Sequence, residues 1–145
     1  MNSMELNNLK TNLEFALYYN SLGWSIIPIR ERDKRPLINE WKTNQTVRAN
    51  TEQIKEWWSK WPNANIGVVT GRISGLAVVD IDKGGYIENL PPTVTANTGG
   101  DGQHLFYKCP REGISSSIGI KTKVDFKADG GYIVLPPSIH TSGKK

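Results

Sequence analysis

Cysteine is almost missing from this chain: Cys109 is the only one among 145 residues. That excludes an internal disulfide and any zinc cluster built on cysteine. A reducing compartment is the simplest fit, so the expected location is cytoplasmic. Histidine is nearly as scarce, with only His104 and His140. No apolar stretch approaches the roughly 20 residues that cross a bilayer. The opening MNSMELNNLKTN has no apolar signal region, and no repeat or low-complexity segment is visible. Blocks of one charge sign are absent too. The 18 Lys and Arg are interspersed with 14 Asp and Glu, for a net charge of +4 and a pI near 9.2. Such a balance permits a polyanionic partner without requiring one. What remains is a soluble, slightly basic chain with the length of one domain and enough residues for a real core.

The periodicity of the apolar residues supplies a coarse outline. Leu6, Leu9, Leu13, Ala16 and Leu17 follow helical spacing and predict a helix from about residue 4 to residue 22, stopped by Gly23. Trp24 to Ile29 reads as a strand, and Pro28 favours an edge or a strand end. Residues 30 to 50 form the longest irregular stretch. Thr51 is the expected N-cap of a second helix, in which Ile54, Trp57, Trp58 and Trp61 recur at i, i+3, i+4 and i+7 before Pro62 and Asn63 end it. A Trp cluster can be imagined as a base-stacking platform, but aromatics at this spacing usually face a core. Strands are predicted at Ile66 to Thr70, Leu76 to Ile81, Thr93 to Ala96, His104 to Lys108, Val124 to Lys127 and Tyr132 to Leu135. The order suggests an α/β unit followed by a β-rich one, with no linker composition between them. We therefore expect a single domain spanning 1 to 145.

Three clusters carry candidate chemistry. In GLAVVDIDKGG an apolar strand ends in Asp80 and Asp82, which share a face by the period of 2, while Val79 and Ile81 are expected to face the core. Two adjacent carboxylates repel unless a cation or solvent relieves them, and hard oxygen donors suit Mg²⁺ or Mn²⁺. D-x-D alone is a weak signal, and a solvated Asp-rich turn is the plain alternative. In TANTGGDGQHLFYK the glycines, Gly100 among them, allow a tight turn and close approach of backbone N–H groups to phosphate, with His104 beside them. The plain alternative is a hairpin turn with a satisfied His. In VDFKADGGYIVLPPS, Asp125 and Lys127 share a face: a further carboxylate and a phosphate partner, or an ordinary exposed pair. His140 receives no role. Together the clusters supply what metal-dependent phosphoryl transfer uses.

VVDID, GGDGQHLFY and VDFKADGGYIVLPPS, in that order, closely resemble the bifunctional primase–polymerase (prim-pol) domain of the archaeo-eukaryotic primase superfamily. ALYYNSLGWSIIPIRERDKRPLINEW and WPNANIGVVTG resemble its opening segment, so the likeness runs from about residue 14 to 143. The resemblance implies an α+β fold in which an RRM-like antiparallel or mixed sheet stands beside a smaller N-terminal α/β unit, with the active site between them. It further implies catalytic metals, Mg²⁺ or Mn²⁺, held by Asp80, Asp82 and Asp125, and a nucleotide-phosphate contact from His104. By charge and position Lys34, Arg35 and Lys127 join as phosphate contacts. Implied partners are a single-stranded DNA template, dNTPs or NTPs, and a helicase, since family members often stand at the amino end of longer plasmid, phage or mobile-element replication proteins. A metal-dependent glycosyltransferase shares D-x-D but not the other two motifs. A primase-like module that binds without polymerising is the other alternative.

Overall fold

The computed structural model describes residues 9–144. Helix α1, Asn12–Ser21, starts later than its apolar spacing suggests, because Thr11 caps it. The Thr11 hydroxyl accepts from the Glu14 N–H at 3.1 Å, and the Glu14 carboxylate accepts the Thr11 N–H at 3.3 Å. This reciprocal pair satisfies two of the donors a helix start leaves free, and T-x-x-E is its sequence signature. Residues 9–11 of the expected helix are not helical, and its first residues, Leu6 among them, lie outside the described residues. Helix α2, Thr51–Lys60, is capped by Asn50 rather than Thr51: the Asn50 side chain accepts from the Gln53 N–H at 2.8 Å. A short 3-10 helix, Trp41–Gln45, interrupts the stretch expected to be irregular.

Among the described residues, eight strands build two antiparallel sheets. The smaller contains β1 (Ser25–Ile29), β2 (Asn65–Val69) and β8 (Tyr132–Leu135) in the order β1-β2-β8. Pro28 is thus on an edge strand, where its missing N–H breaks no ladder. The larger contains β3 (Leu76–Ile81), β4 (Thr95–Asn97), β5 (Gln103–Lys108), β6 (Ser117–Lys121) and β7 (Val124–Lys127) in the order β4-β5-β3-β7-β6. β6 has no counterpart among the expected strands. Every residue of it is exposed, so it carries no buried apolar pattern to reveal it. The molecule is α+β, and no helix among the described residues is long and apolar enough to cross a membrane.

The main core joins helices α1 and α2 to the two sheets through Ala16, Ile54, Trp58, Val68, Val78 and Leu135, among others. Trp58 is 2% exposed and its indole N–H donates to the Ala64 carbonyl, while Trp57 and Trp61 pack at the margin. The tryptophan helix is therefore core-facing. The strand carrying the acidic pair behaves differently from expectation. Leu76 and Val78, not Val79 and Ile81, enter the main core. Ala77 and Val79 are buried on the opposite face of β3, and Ile81 is only half-buried. With a period of 2, Leu76, Val78, Asp80 and Asp82 lie along a single face. The acidic end of β3 is thus the continuation of the core face past the point where the two sheets separate.

Candidate active site

Strand register assembles the site. Asp80 on β3 is directly opposite His104 on β5 and directly opposite Asp125 on β7. His104 in turn is opposite Ala96 on β4. Opposed residues in an antiparallel ladder share a face, so His104, Asp80 and Asp125 form one row across the sheet. Asp82, just beyond the end of β3, keeps that face, and its N–H donates to the Lys123 carbonyl at 2.9 Å. Lys127, two residues after Asp125, lies opposite Val78 on the same side.

The row opens into a cleft of about 440 Å³ between the two sheets, a size that suits a nucleotide-sized ligand. Asp80, Asp82, His104, Asp125, Lys127, Lys34 and Gly100 all line it. Arg35 does not. Its guanidinium is committed to Asp33, with contacts of 2.7 and 3.0 Å to Oδ2, and its side chain is 75% exposed. Those bonds, followed by the backbone N–H groups of Arg35 and Lys34, hold the Asp33 carboxyl well below the usual carboxylate range. Lys34 is placed by its backbone, whose carbonyl accepts from the Tyr132 hydroxyl at 2.7 Å.

Within the row, His104 Nε2 lies 3.2 Å from Asp80 Oδ1. The other side of the imidazole meets Phe106 edge-on at 6.4 Å, and Phe106 stacks on Trp24 at 6.3 Å, which anchors the histidine to the core. Burial pushes the Asp80 carboxyl up. The His104 hydrogen bond and charge, with Lys127 and Lys34 behind them, outweigh that and leave it below its ordinary value. Asp125 is held differently. Three residues of β6, between Ser117 and Lys121, bulge past it, and its Oδ1 accepts the Gly119 N–H at 2.7 Å. A bulge beside a site residue aims that residue.

The glycine turn is closely packed. The left-handed residue is Asp101, with φ of 63°, not a glycine. The glycines instead provide clearance: a Cβ at Gly102 would collide with the Ile81 carbonyl, and one at Gly99 with the Cβ of His140. His140, Tyr132, Trp41 and Ser138 also line the cleft. Sequence reading passed over all of these. Only His140 carried a signal, as the chain's one other imidazole.

The donor set suits a hard cation, since Asp80, Asp82 and Asp125 share one face against two lining ammonium groups, Lys34 and Lys127, while the fourth carboxylate, Asp33, is already paired with Arg35. Among the described residues, no three His, Cys, Asp or Glu side chains converge tightly enough to hold an ion as they stand. Asp80 is turned to His104 and Asp125 to Gly119. No curated protein matches the chain. A family model does, that of the N-terminal bifunctional DNA primase/polymerase domain, over residues 16–145. This stretch includes every strand of both sheets and all of the cleft-lining side chains, and the chain belongs to the Prim-Pol family.

Proposed function

We propose that the chain is one catalytic domain performing metal-dependent nucleotidyl transfer, making or extending primers from dNTPs or NTPs on a single-stranded DNA template. The setting would be cytoplasmic replication of a plasmid, phage or mobile element, alongside a helicase. The observation that carries this reading is the row His104–Asp80–Asp125, with Asp82 on the same face at the mouth of the inter-sheet cleft, in a member of this family.

Asp80, Asp82 and Asp125 are the residues that would hold Mg²⁺ or Mn²⁺, after rotation of Asp80 away from His104 and of Asp125 away from Gly119. When bound, the cations supply activation of a 3′-hydroxyl and neutralisation of the leaving pyrophosphate. The excess of carboxylates argues for them, because a bare triphosphate would be repelled. Released from Asp80, the His104 Nε2 becomes free to donate to a phosphate oxygen, which makes the pair a shared position for one ligand set. Lys127, Lys34 and the backbone at Gly100 line the path of the phosphates and position them. No side chain in the cleft is assigned as a general base.

The test is nucleotide incorporation on primed and unprimed single-stranded DNA with Mg²⁺ and with Mn²⁺, wild type beside Asp80→Asn and Asp125→Asn. Incorporation by the wild type that both substitutions abolish is the expected result, and the unprimed lane reports priming. An inert wild type that still binds dNTP and metal would indicate a binding module instead.

A further inference from the structure

Ile118 and Ile120 are 84% and 44% exposed on β6, and neither belongs to a core cluster. They flank Gly119, whose N–H donates to Asp125 Oδ1 at 2.7 Å. Two apolar side chains with no part in folding thus stand beside an acid of the site. Scattered exposed apolar residues are ordinary, but a group of them next to a functional residue marks a contact surface.

The surface continues past the hairpin. The turn between β6 and β7 packs on the segment that follows β3: the Lys123 carbonyl accepts the Asp82 N–H at 2.9 Å, and a Cβ at Gly85 would lie 2.7 Å from the same carbonyl. Lys123 Nζ lies 3.3 Å from the Cβ position that Gly84 leaves empty. Tyr86, the next residue after that glycine pair, is 68% exposed.

Charge points to the occupant. Residues 83–86 and 117–123 contain Lys83, Lys121 and Lys123 and no acid, and all three lysines are exposed. Among the described residues none of the three is in an ion pair. The acids Asp82 and Asp125 belong to the cleft, so the sign of charge reverses from the cleft to this outer surface. Ammonium groups interleaved with an aromatic ring and two aliphatic side chains match a strand that presents phosphates and uncovered base faces together. A single strand does so, whereas a duplex stacks its base faces away.

We infer that the β6–β7 hairpin and the Lys83–Tyr86 segment form a single-stranded DNA surface, with Tyr86, Ile118 and Ile120 against base faces and Lys83, Lys121 and Lys123 on phosphates. The surface holds the strand beside Asp82 and Asp125, and the choice of DNA rests on the nucleotidyl-transfer reading above.

Binding of a labelled oligodeoxythymidine, and of an abasic strand of the same length, is measured by fluorescence anisotropy over a range of salt, without nucleotide or metal. We expect Tyr86→Ala and Ile118→Ser each to weaken the oligodeoxythymidine, Tyr86→Ala by about tenfold, as for the loss of one base stack. The abasic strand, which has no base to stack, should bind these variants as it binds the wild type. Lys121→Gln combined with Lys123→Gln should weaken both strands and lower the salt slope by about 1.4, at about 0.7 for each phosphate contact. Both sets of positions are exposed, so unchanged urea midpoints should accompany these losses. No binding by the wild type, unchanged affinity in the variants, or an equal loss of Tyr86→Ala on both strands would overturn the assignment. So would a wild-type dimer in sedimentation that Ile118→Ser makes monomeric with DNA affinity unchanged, since the surface would then belong to a second copy of the chain. The expected losses in a protein that does not incorporate nucleotides would sink the polymerase reading and leave this surface standing. Normal incorporation with unaltered DNA binding in every variant would do the reverse.

Discussion

Asp80 and His104 face each other across the β3–β5 ladder with 3.2 Å between Oδ1 and Nε2. Two strands far apart in the chain thus bring an acid and an imidazole into one contact at the mouth of the inter-sheet cleft. The pairing also sets the protonation of the acid. Its burial favours the neutral form, and the histidine is the strongest influence in the other direction.

Replacing His104 with Ala therefore releases the burial effect, and the Asp80 carboxyl titrates at a higher pH than in the wild type. Stability follows. A carboxyl depressed in the folded state contributes stability that is present above its unfolded pKa and is lost as pH falls through the folded value. In His104→Ala that acid-side loss shrinks. Carboxyl ¹³C titration by NMR checks the first statement and urea unfolding across the acid range checks the second. An unmoved Asp80 titration would show that His104 is not its main partner.

Tyr19 behaves in the opposite sense at the alkaline end. Burial, followed by the neighbouring Tyr18, pushes its phenol up to about 12, and its hydroxyl donates to the Pro136 carbonyl at 2.8 Å. A group raised above its unfolded value of about 10 contributes stability that is whole below that pH and lost as pH rises through the folded value. The wild type should lose stability between about pH 10 and 12, and Tyr19→Phe should lose less of it. Phenolate absorbance combined with alkaline denaturation provides the measurement.

Asp129 joins the two sheet crossovers. Its Oδ1 accepts the Arg72 backbone N–H at 2.9 Å, and its Oδ2 lies 3.1 Å from the Arg72 NH2 group. Asp129→Ala should destabilise by about 1 kcal/mol, the size of one lost backbone-anchoring hydrogen bond. Arg72→Ala should cost less, because the guanidinium is exposed and its ion pair is screened. Urea midpoints rank the two. A larger loss in Arg72→Ala would reverse the assignment.

The buried Trp58 separates core from platform. Trp58→Ala should cost about 3–5 kcal/mol, as for a large buried aromatic. Trp61→Ala, at the margin with Lys60 Nζ 4.7 Å from its ring centroid, should cost much less. If Trp61→Ala instead abolished single-stranded DNA binding with stability intact, the helix would have a second, exposed use.

Much of this was legible in the residues. The period of 3.6 placed Trp58 inward, the period of 2 placed Asp80 beside Asp82, and T-x-x-E marked the true start of α1 for a reader who trusted the cap over the leucines. The order of three short motifs led to the family that the chain belongs to. These are local properties, set by backbone geometry within a few residues or by succession along the chain.

Tertiary structure decided the rest. Which of β3's neighbours lies opposite Asp80 is a matter of register, and register depends on pairing between distant segments. Alternation says that two faces exist but not which one meets the helices, and so Leu76 and Val78 took the core where Val79 and Ile81 were expected. β6 exists because Val124–Lys127 offers it an edge, not because its own side chains need burial. His140 enters the cleft because Asn65, on a strand formed far earlier in the chain, holds the residue before it. Local chemistry chose the residues, and long-range hydrogen bonding chose which of them meet.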